Sequence, residues 1–229
     1  MKRILTQTGF ALLIFAACLM AFPGGSFAED LPGKGKKVEP GAATWTTGFF
    51  LEALYSRACE QLGYDVEEAK KLGAPIFYRS LGQGDLDFWG NGWFPLHDEF
   101  LPNNWSERIV MAGTVVRAGA VQGYLVSKEH VEEYDIKSLD DFRREEVKEA
   151  FDANGDGKAD LVACPPGWGC EKTIKFHMNT YDLWDHINLI KAGYSASMAD
   201  AIARYNEGEP VFFYTWTPNW TVYKLKPGE

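Results

Sequence analysis

The chain has 229 residues, 46% hydrophobic and 14% aromatic, with 23 Lys and Arg against 32 Asp and Glu. That is enough apolar material for one large domain or two small lobes. The net charge of −9 repels nucleic acid and anionic lipid, and excludes both as partners.

In chain order, the first feature is an export signal. Lys2 and Arg3 form a positive start, residues 11–22 (ALLIFAACLMAF) an apolar centre, and Ser26-Phe27-Ala28 offers small residues for cleavage. The apolar run is too short to cross a bilayer, which takes about 20 residues. Residues 1–28 are therefore expected to leave as a signal peptide, giving a soluble exported protein with no direct membrane insertion. Lipid anchoring through Cys18 is disfavoured, because Phe15 stands where a lipoprotein box has Leu. Cleavage removes two basic and no acidic residues, which moves the net charge from −9 to −11. Of the remaining cysteines, Cys164 and Cys170 are close enough to pair in an oxidising compartment, and Cys59 is left without a partner.

The start of the mature chain is rich in Gly, Pro and Lys and reads as extended. From Thr47 to Leu62, Phe50, Leu51, Leu54, Ala58 and Leu62 recur at helical spacing, with Gly63 as a stop. Ile76-Phe77-Tyr78 and Phe88-Trp89 read as short buried strands around the turn-rich LGQGDLD, and Val121 to Val126 as another. Ser138-Leu139-Asp140-Asp141 caps an acidic helical stretch that ends at Phe151. Met198 to Asn206 is helical, stopped near Gly208-Glu209-Pro210, and Val211 to Trp216 follows as a strand. Strands alternating with helices predict an α/β fold.

Five of the eight tryptophans, Trp45 among them, read as core packing. The other three each lie at a turn or strand end beside Pro or Gly: Trp93 in GNGWFPLHD, Trp168 in CPPGWGCE and Trp216 in FYTWTPNW. Indoles at the carboxyl ends of strands stand at the mouth of an α/β cleft. A quaternary ammonium has no N–H to donate, so hydrogen bonds cannot recognise it. An aromatic face can, at about 0.5–2 kcal/mol per ring. Gly169 and Cys170 precede a helical-looking stretch, so their N–H groups could form a carboxylate site at its N-terminus. His97, four residues after Trp93, is a further donor to a carboxylate. An aromatic box beside an anion site describes a receptor for a zwitterion such as betaine.

A second constellation is DANGDGKAD, residues 152–160. Asp152, Asn154, Asp156 and Asp160 take the odd positions of an EF-hand-like loop, Gly157 the turn, and Lys158 offers a carbonyl. These hard oxygens suit a structural Ca²⁺, though Ala163 stands where the motif has a bidentate Glu. A turn-rich loop with no ion is the alternative. The chain has no Gly-x-Ser-x-Gly and no His-Glu-x-x-His, so an enzyme acting on a quaternary amine is disfavoured. A Ca²⁺-dependent interaction module stays open.

The segments LPGKG, SRACEQLGY, WFPLHD, AVQGYLV, FDANGDGKADL, PGWGCE and PVFFYTWTPNW occur in one order across the mature chain. Together they make it resemble the periplasmic glycine betaine/proline betaine-binding proteins of osmoprotectant ABC importers. The resemblance implies a two-lobe α/β clamshell of the type II periplasmic class, with residues 29–120 in lobe I and 121–229 in lobe II. It implies a cage of Trp93, Trp168 and Trp216, carboxylate contacts from His97, Gly169 and Cys170, and a Cys164–Cys170 disulfide. It also implies delivery of the ligand to an ABC permease with no required cofactor. Where the family reads Asn-Trp-Thr-Pro, this chain reads Gly92-Trp93-Phe94-Pro95. That leaves preference among glycine betaine, proline betaine, choline and carnitine open. Family members are longer, so the C-terminal part of lobe I is expected to be missing and a sheet edge left uncovered.

Overall fold

A computed structural model of the chain describes residues 31–225. The expected signal peptide and Cys18 lie outside the described residues. Among those described, no helix is long and apolar enough to cross a membrane.

The first part runs β1 (Lys37–Val38), β2 (Pro40–Ala42), α1 (Thr46–Gln61), β3 (Asp65–Val66), β4 (Lys70–Lys71), α2 (Ala74–Gln83) and β5 (Phe88–Trp89). β2 lies between β4 and β5 and is parallel to both, while β1 pairs in parallel with β3. Helical crossovers between parallel strands are what this geometry requires.

Two short 3-10 turns, Asp98–Phe100 and Trp105–Glu107, lead into the second part. It runs β6 (Gln122–Val126), α3 (Lys128–Glu133), a 3-10 turn at Leu139–Arg143, α4 (Glu145–Phe151), β7 (Ala159–Val162), α5 (Gly169–Thr180), β8 (Ile187–Ile190), α6 (Tyr194–Asn206), β9 (Phe212–Trp216) and α7 (Trp220–Leu225). Its sheet has the order β6-β9-β7-β8, with β6 antiparallel to β9 and the other pairs parallel. β7 and β9 are buried along their whole length, the pattern of strands covered on both faces. Helix α5 turns Cys170, Ile174 and Met178 inward, and α6 turns Tyr194, Met198 and Ala201 inward, each an apolar stripe at helical spacing.

Most of the expected elements are present. Val121 to Val126 and Val211 to Trp216 fall on β6 and β9, and the helix expected from Thr47 is α1. One expectation is corrected: Ile76-Phe77-Tyr78 is not a strand but lies inside α2. Ala74, Phe77, Tyr78 and Gly82 are its buried residues, a spacing of 3.6 rather than 2. Gly73 opens that helix, Pro75 sits in its first turn, and Gly84 closes it in the left-handed region at φ +82°. Ser138 does cap, accepting from Asp140 N–H at 3.2 Å while Asp141 takes the Ser138 N–H at 2.8 Å. The helical stretch is broken, however, because Arg144 is extended between the 3-10 turn and α4.

Candidate ligand-binding site

Four strands of the two parts aim their carboxyl ends at one place. Trp45 follows β2, Trp93 follows β5, Trp168 follows β7, and Trp216 ends β9. All four indoles line a single cavity with Leu96, His97, Gln122, Gly169 and Cys170. The three tryptophans singled out in the sequence are thus brought together with His97 and the start of α5. Trp45, assigned to core packing, is indeed part of the buried core, but its place on the pocket wall was missed by sequence reasoning, as were those of Leu96 and Gln122. Trp45 stands in ATWTT, with no Gly or Pro beside it to mark a strand end.

The rings pack edge to face. Trp168 meets Trp45 at 5.2 Å and Trp216 at 5.5 Å between centroids, and Tyr194 backs Trp216 at 5.1 Å. Each indole N–H has an acceptor. Trp45 and Trp93 both donate to Asn91 Oδ1, at 2.6 and 3.1 Å, Trp168 donates to Thr44 Oγ1 at 2.7 Å, and Trp216 to Thr47 Oγ1 at 3.3 Å. The last two bonds join the second part to the first. So does Ala74 N–H, which donates to Gly167 O at 3.0 Å, and so does the Lys172–Glu99 ion pair at 2.9 Å. The space left among the indoles is about 30 Å³, room for water.

His97 is 2% exposed. Its Nδ1 accepts from Tyr78 O–H at 3.0 Å and from Trp93 N–H at 3.3 Å. Burial pushes the Tyr78 phenol up, so it keeps its proton, and burial pulls the His97 pKa down to about 4. A neutral imidazole that accepts at Nδ1 carries its proton on Nε2. That Nε2 faces the start of α5: a methyl group on Gly169 would stand 3.0 Å from Nε2 and 2.9 Å from Cδ2. Only glycine allows this approach. The first N–H groups of a helix have no carbonyl behind them, and in α5 they belong to Gly169 and Cys170. His97 Nε2–H and the α5 N-terminus thus bring donors together on the cavity wall beside the indoles.

Cys164 and Cys170 form a disulfide that spans the loop carrying Trp168, and Cys59 is a free thiol. Upstream, the Asp152 carboxylate accepts from the N–H groups of Gly155, Asp156 and Gly157 at 2.7–3.1 Å. Asp160 accepts from Asn154 N–H at 3.0 Å, Asn154 Nδ2 at 2.7 Å and Asn188 Nδ2 at 2.9 Å. Among the described residues, no three His, Cys, Asp or Glu side chains gather as a metal site.

A cleft between two α/β sheets, walled by indoles and closed by a helix N-terminus, defines a two-lobed ligand-binding protein. The family model described as the substrate-binding domain of the ABC-type glycine betaine transport system, OpuAC, matches residues 36–226. The chain belongs to this family, which is one of binding domains and not of enzymes. It is 41% identical over 226 residues to the glycine betaine/proline betaine-binding periplasmic protein of Escherichia coli (strain K12). It is 38% identical over 226 residues to the protein of the same name from Salmonella typhimurium. Each match takes in 99% of this chain and 66% of the relative, so the chain spans just under two thirds of their length. A solved glycine betaine/L-proline-binding protein from Borrelia burgdorferi (ProX) superposes with TM-score 0.67 at 20% identity, covering 81% of this chain and 64% of that one. Lactococcal OpuAC, solved closed with glycine betaine, gives TM-score 0.65 at 19% identity, covering 82% and 68%. These likenesses bear on the fold, which is the expected α/β one.

Proposed function

We propose that the chain captures glycine betaine or a related zwitterion such as proline betaine outside the cytoplasm and passes it to the membrane permease of an ABC importer. The observation that carries this is the convergence of four indoles and of donors from both sides on one cavity. The methylated cation would sit among the rings and the carboxylate would accept from His97 Nε2–H and the N–H groups of Gly169 and Cys170. Each ring contributes about 0.5–2 kcal/mol, against the roughly −8 kcal/mol of a micromolar complex. Because ligand contacts come from both sides of the cleft, binding favours the closed arrangement.

Calorimetric titration of the purified chain tests this. Glycine betaine should bind in the micromolar range and quench or shift the tryptophan emission. Choline, which lacks a carboxylate for His97 and α5, should bind at least tenfold more weakly. No heat and no fluorescence change with glycine betaine overturns the proposal. Ca²⁺ at Asp152, Asn154, Asp156, Lys158 and Asp160 is proposed only as a brace ahead of the disulfide loop. A melting temperature that rises with added Ca²⁺ and falls back with chelator supports it, and one that ignores both refutes it.

A further inference from the structure

We propose that Trp45 is a fourth wall of the cation site and that Asn91 is the positioning residue that holds Trp45 and Trp93 as a pair. The proposal rests on the zwitterion reading above and adds to it a second indole on the first side of the cleft.

Trp45 is buried, yet it lines the cavity and touches both chemistries of the site. Its ring lies 5.2 Å from Trp168 and 6.5 Å from His97 between centroids. Trp45 shares one acceptor with the neighbouring cage indole. Asn91 Oδ1 takes both N–H groups, at 2.6 Å from Trp45 and 3.1 Å from Trp93. A carboxamide oxygen has two lone pairs, and with two donors before it the amide can stand only one way round. Aromatic rings pack closely on the backbone either side of Asn91. A methyl group on Gly90 would meet Tyr55 at 2.7 Å, and one on Gly92 would meet Phe94 at 2.6 Å. Asn91 thereby sets the angle between two rings that are far apart in sequence.

The consequence is selectivity for full methylation. Besides the indoles, the polar side chains on the cavity are His97, a donor at Nε2, and Gln122, whose Oε1 accepts from Tyr214 O–H at 3.3 Å and keeps one lone pair. An ammonium that still carries two or three N–H groups gives up more hydrogen bonds to water than these side chains return. A trimethylammonium loses no hydrogen bond and gains one more π face.

The test compares glycine betaine with its carbon isostere, 3,3-dimethylbutanoate, which has the same shape and carboxylate but no cation. Affinities are measured by calorimetry on wild type, Trp45→Phe, Trp45→Leu, Asn91→Leu and the Trp45→Leu/Asn91→Leu double variant. Loss of one π face should weaken glycine betaine about tenfold in Trp45→Leu and about twofold in Trp45→Phe. The isostere has no charge for the π face to attract, so it should lose clearly less than betaine in Trp45→Leu. Asn91→Leu should cost betaine about fivefold, and the double variant less than the product of the two, because Asn91 acts partly through Trp45. Equal losses for betaine and isostere reduce Trp45 to packing and overturn the proposal, as does unchanged betaine affinity. Should Trp45→Leu fail to fold, Trp45→Met, which also removes the π face, decides between the same outcomes. Wild type that binds neither probe overturns the zwitterion reading itself.

Discussion

The two sides of the cleft each hold a pair of indoles, but they hold them by different means. Behind Trp168 and Trp216 lies a continuous apolar core: β7 and β9 buried throughout, Phe142 stacked on Phe212 at 4.2 Å, and Tyr194 against both rings. Trp45 and Ala43 reach into that same core and Trp93 packs on it, but the first side's own buried cluster is small, formed by Ala74, Phe77, Tyr78 and Leu86 among the described residues. Helix α1 on that side leaves Phe50 at 67% and Leu54 at 52% exposure. What fixes the first side is polar: Asn91 beneath two indoles, and Tyr78 with a backbone N–H on His97. Packing organises one half-site and directed hydrogen bonds organise the other.

The largest expected effect is on the packed side. Phe212→Ala removes a stacked, fully buried ring from the middle of the sheet and should cost about 3–5 kcal/mol in urea unfolding. Leu54→Ala on α1, half in water already, should stay within about 0.5 kcal/mol. Similar costs for the two would erase the contrast between the sides.

The polar side should show itself in pH. His97 has a pKa of about 4 when folded against an ordinary 6.5 when unfolded. Between these values the unfolded chain binds the extra proton, so stability falls as pH is lowered from about 6.5 to about 4 and then levels off. The contribution is about 3 kcal/mol. Thermal melts of His97→Gln should lack this component, and an unchanged slope in that window would show that His97 is not held neutral by burial. The disulfide comes next. Removing both Cys164 and Cys170 as Ala should cost about 2 kcal/mol for so short a loop. Betaine affinity should fall with it, since that loop carries Trp168. A stability loss with no change in affinity would leave the loop set by packing alone.

The same contrast explains how much could be read from the chain. Packing leaves periodic traces, so the sheet of the second side, its helices α5 and α6, and three tryptophans beside Gly or Pro at strand ends were legible. Hydrogen bonds between distant residues leave none. Nothing in ATWTT marks Trp45 as a partner of Asn91, and nothing near His97 announces Tyr78. The strand assigned to Ile76-Phe77-Tyr78 failed because three apolar residues in a row have no period of their own. The caps at Gly73 and Gly84, and the inward spacing of Ala74, Phe77 and Tyr78, carried the helix instead.

The smallest effect concerns what joins the sides. Trp168 Nε1–H donates to Thr44 Oγ1 at 2.7 Å across 124 residues of chain. Thr44→Val keeps the shape and removes the acceptor. When the sides part, water takes the Trp168 N–H at no cost; when they close, it is left unpaired. The variant should therefore disfavour closure by about 1 kcal/mol, a roughly fivefold loss in betaine affinity that appears as faster release in stopped-flow fluorescence. Stability should hardly move, since neither core is touched. Thr47→Val should do the same more weakly, because its bond to Trp216 is longer, at 3.3 Å. If Thr44→Val binds and releases betaine as wild type does, the hydroxyl is no latch, and closure depends on the ligand bridging the two half-sites alone.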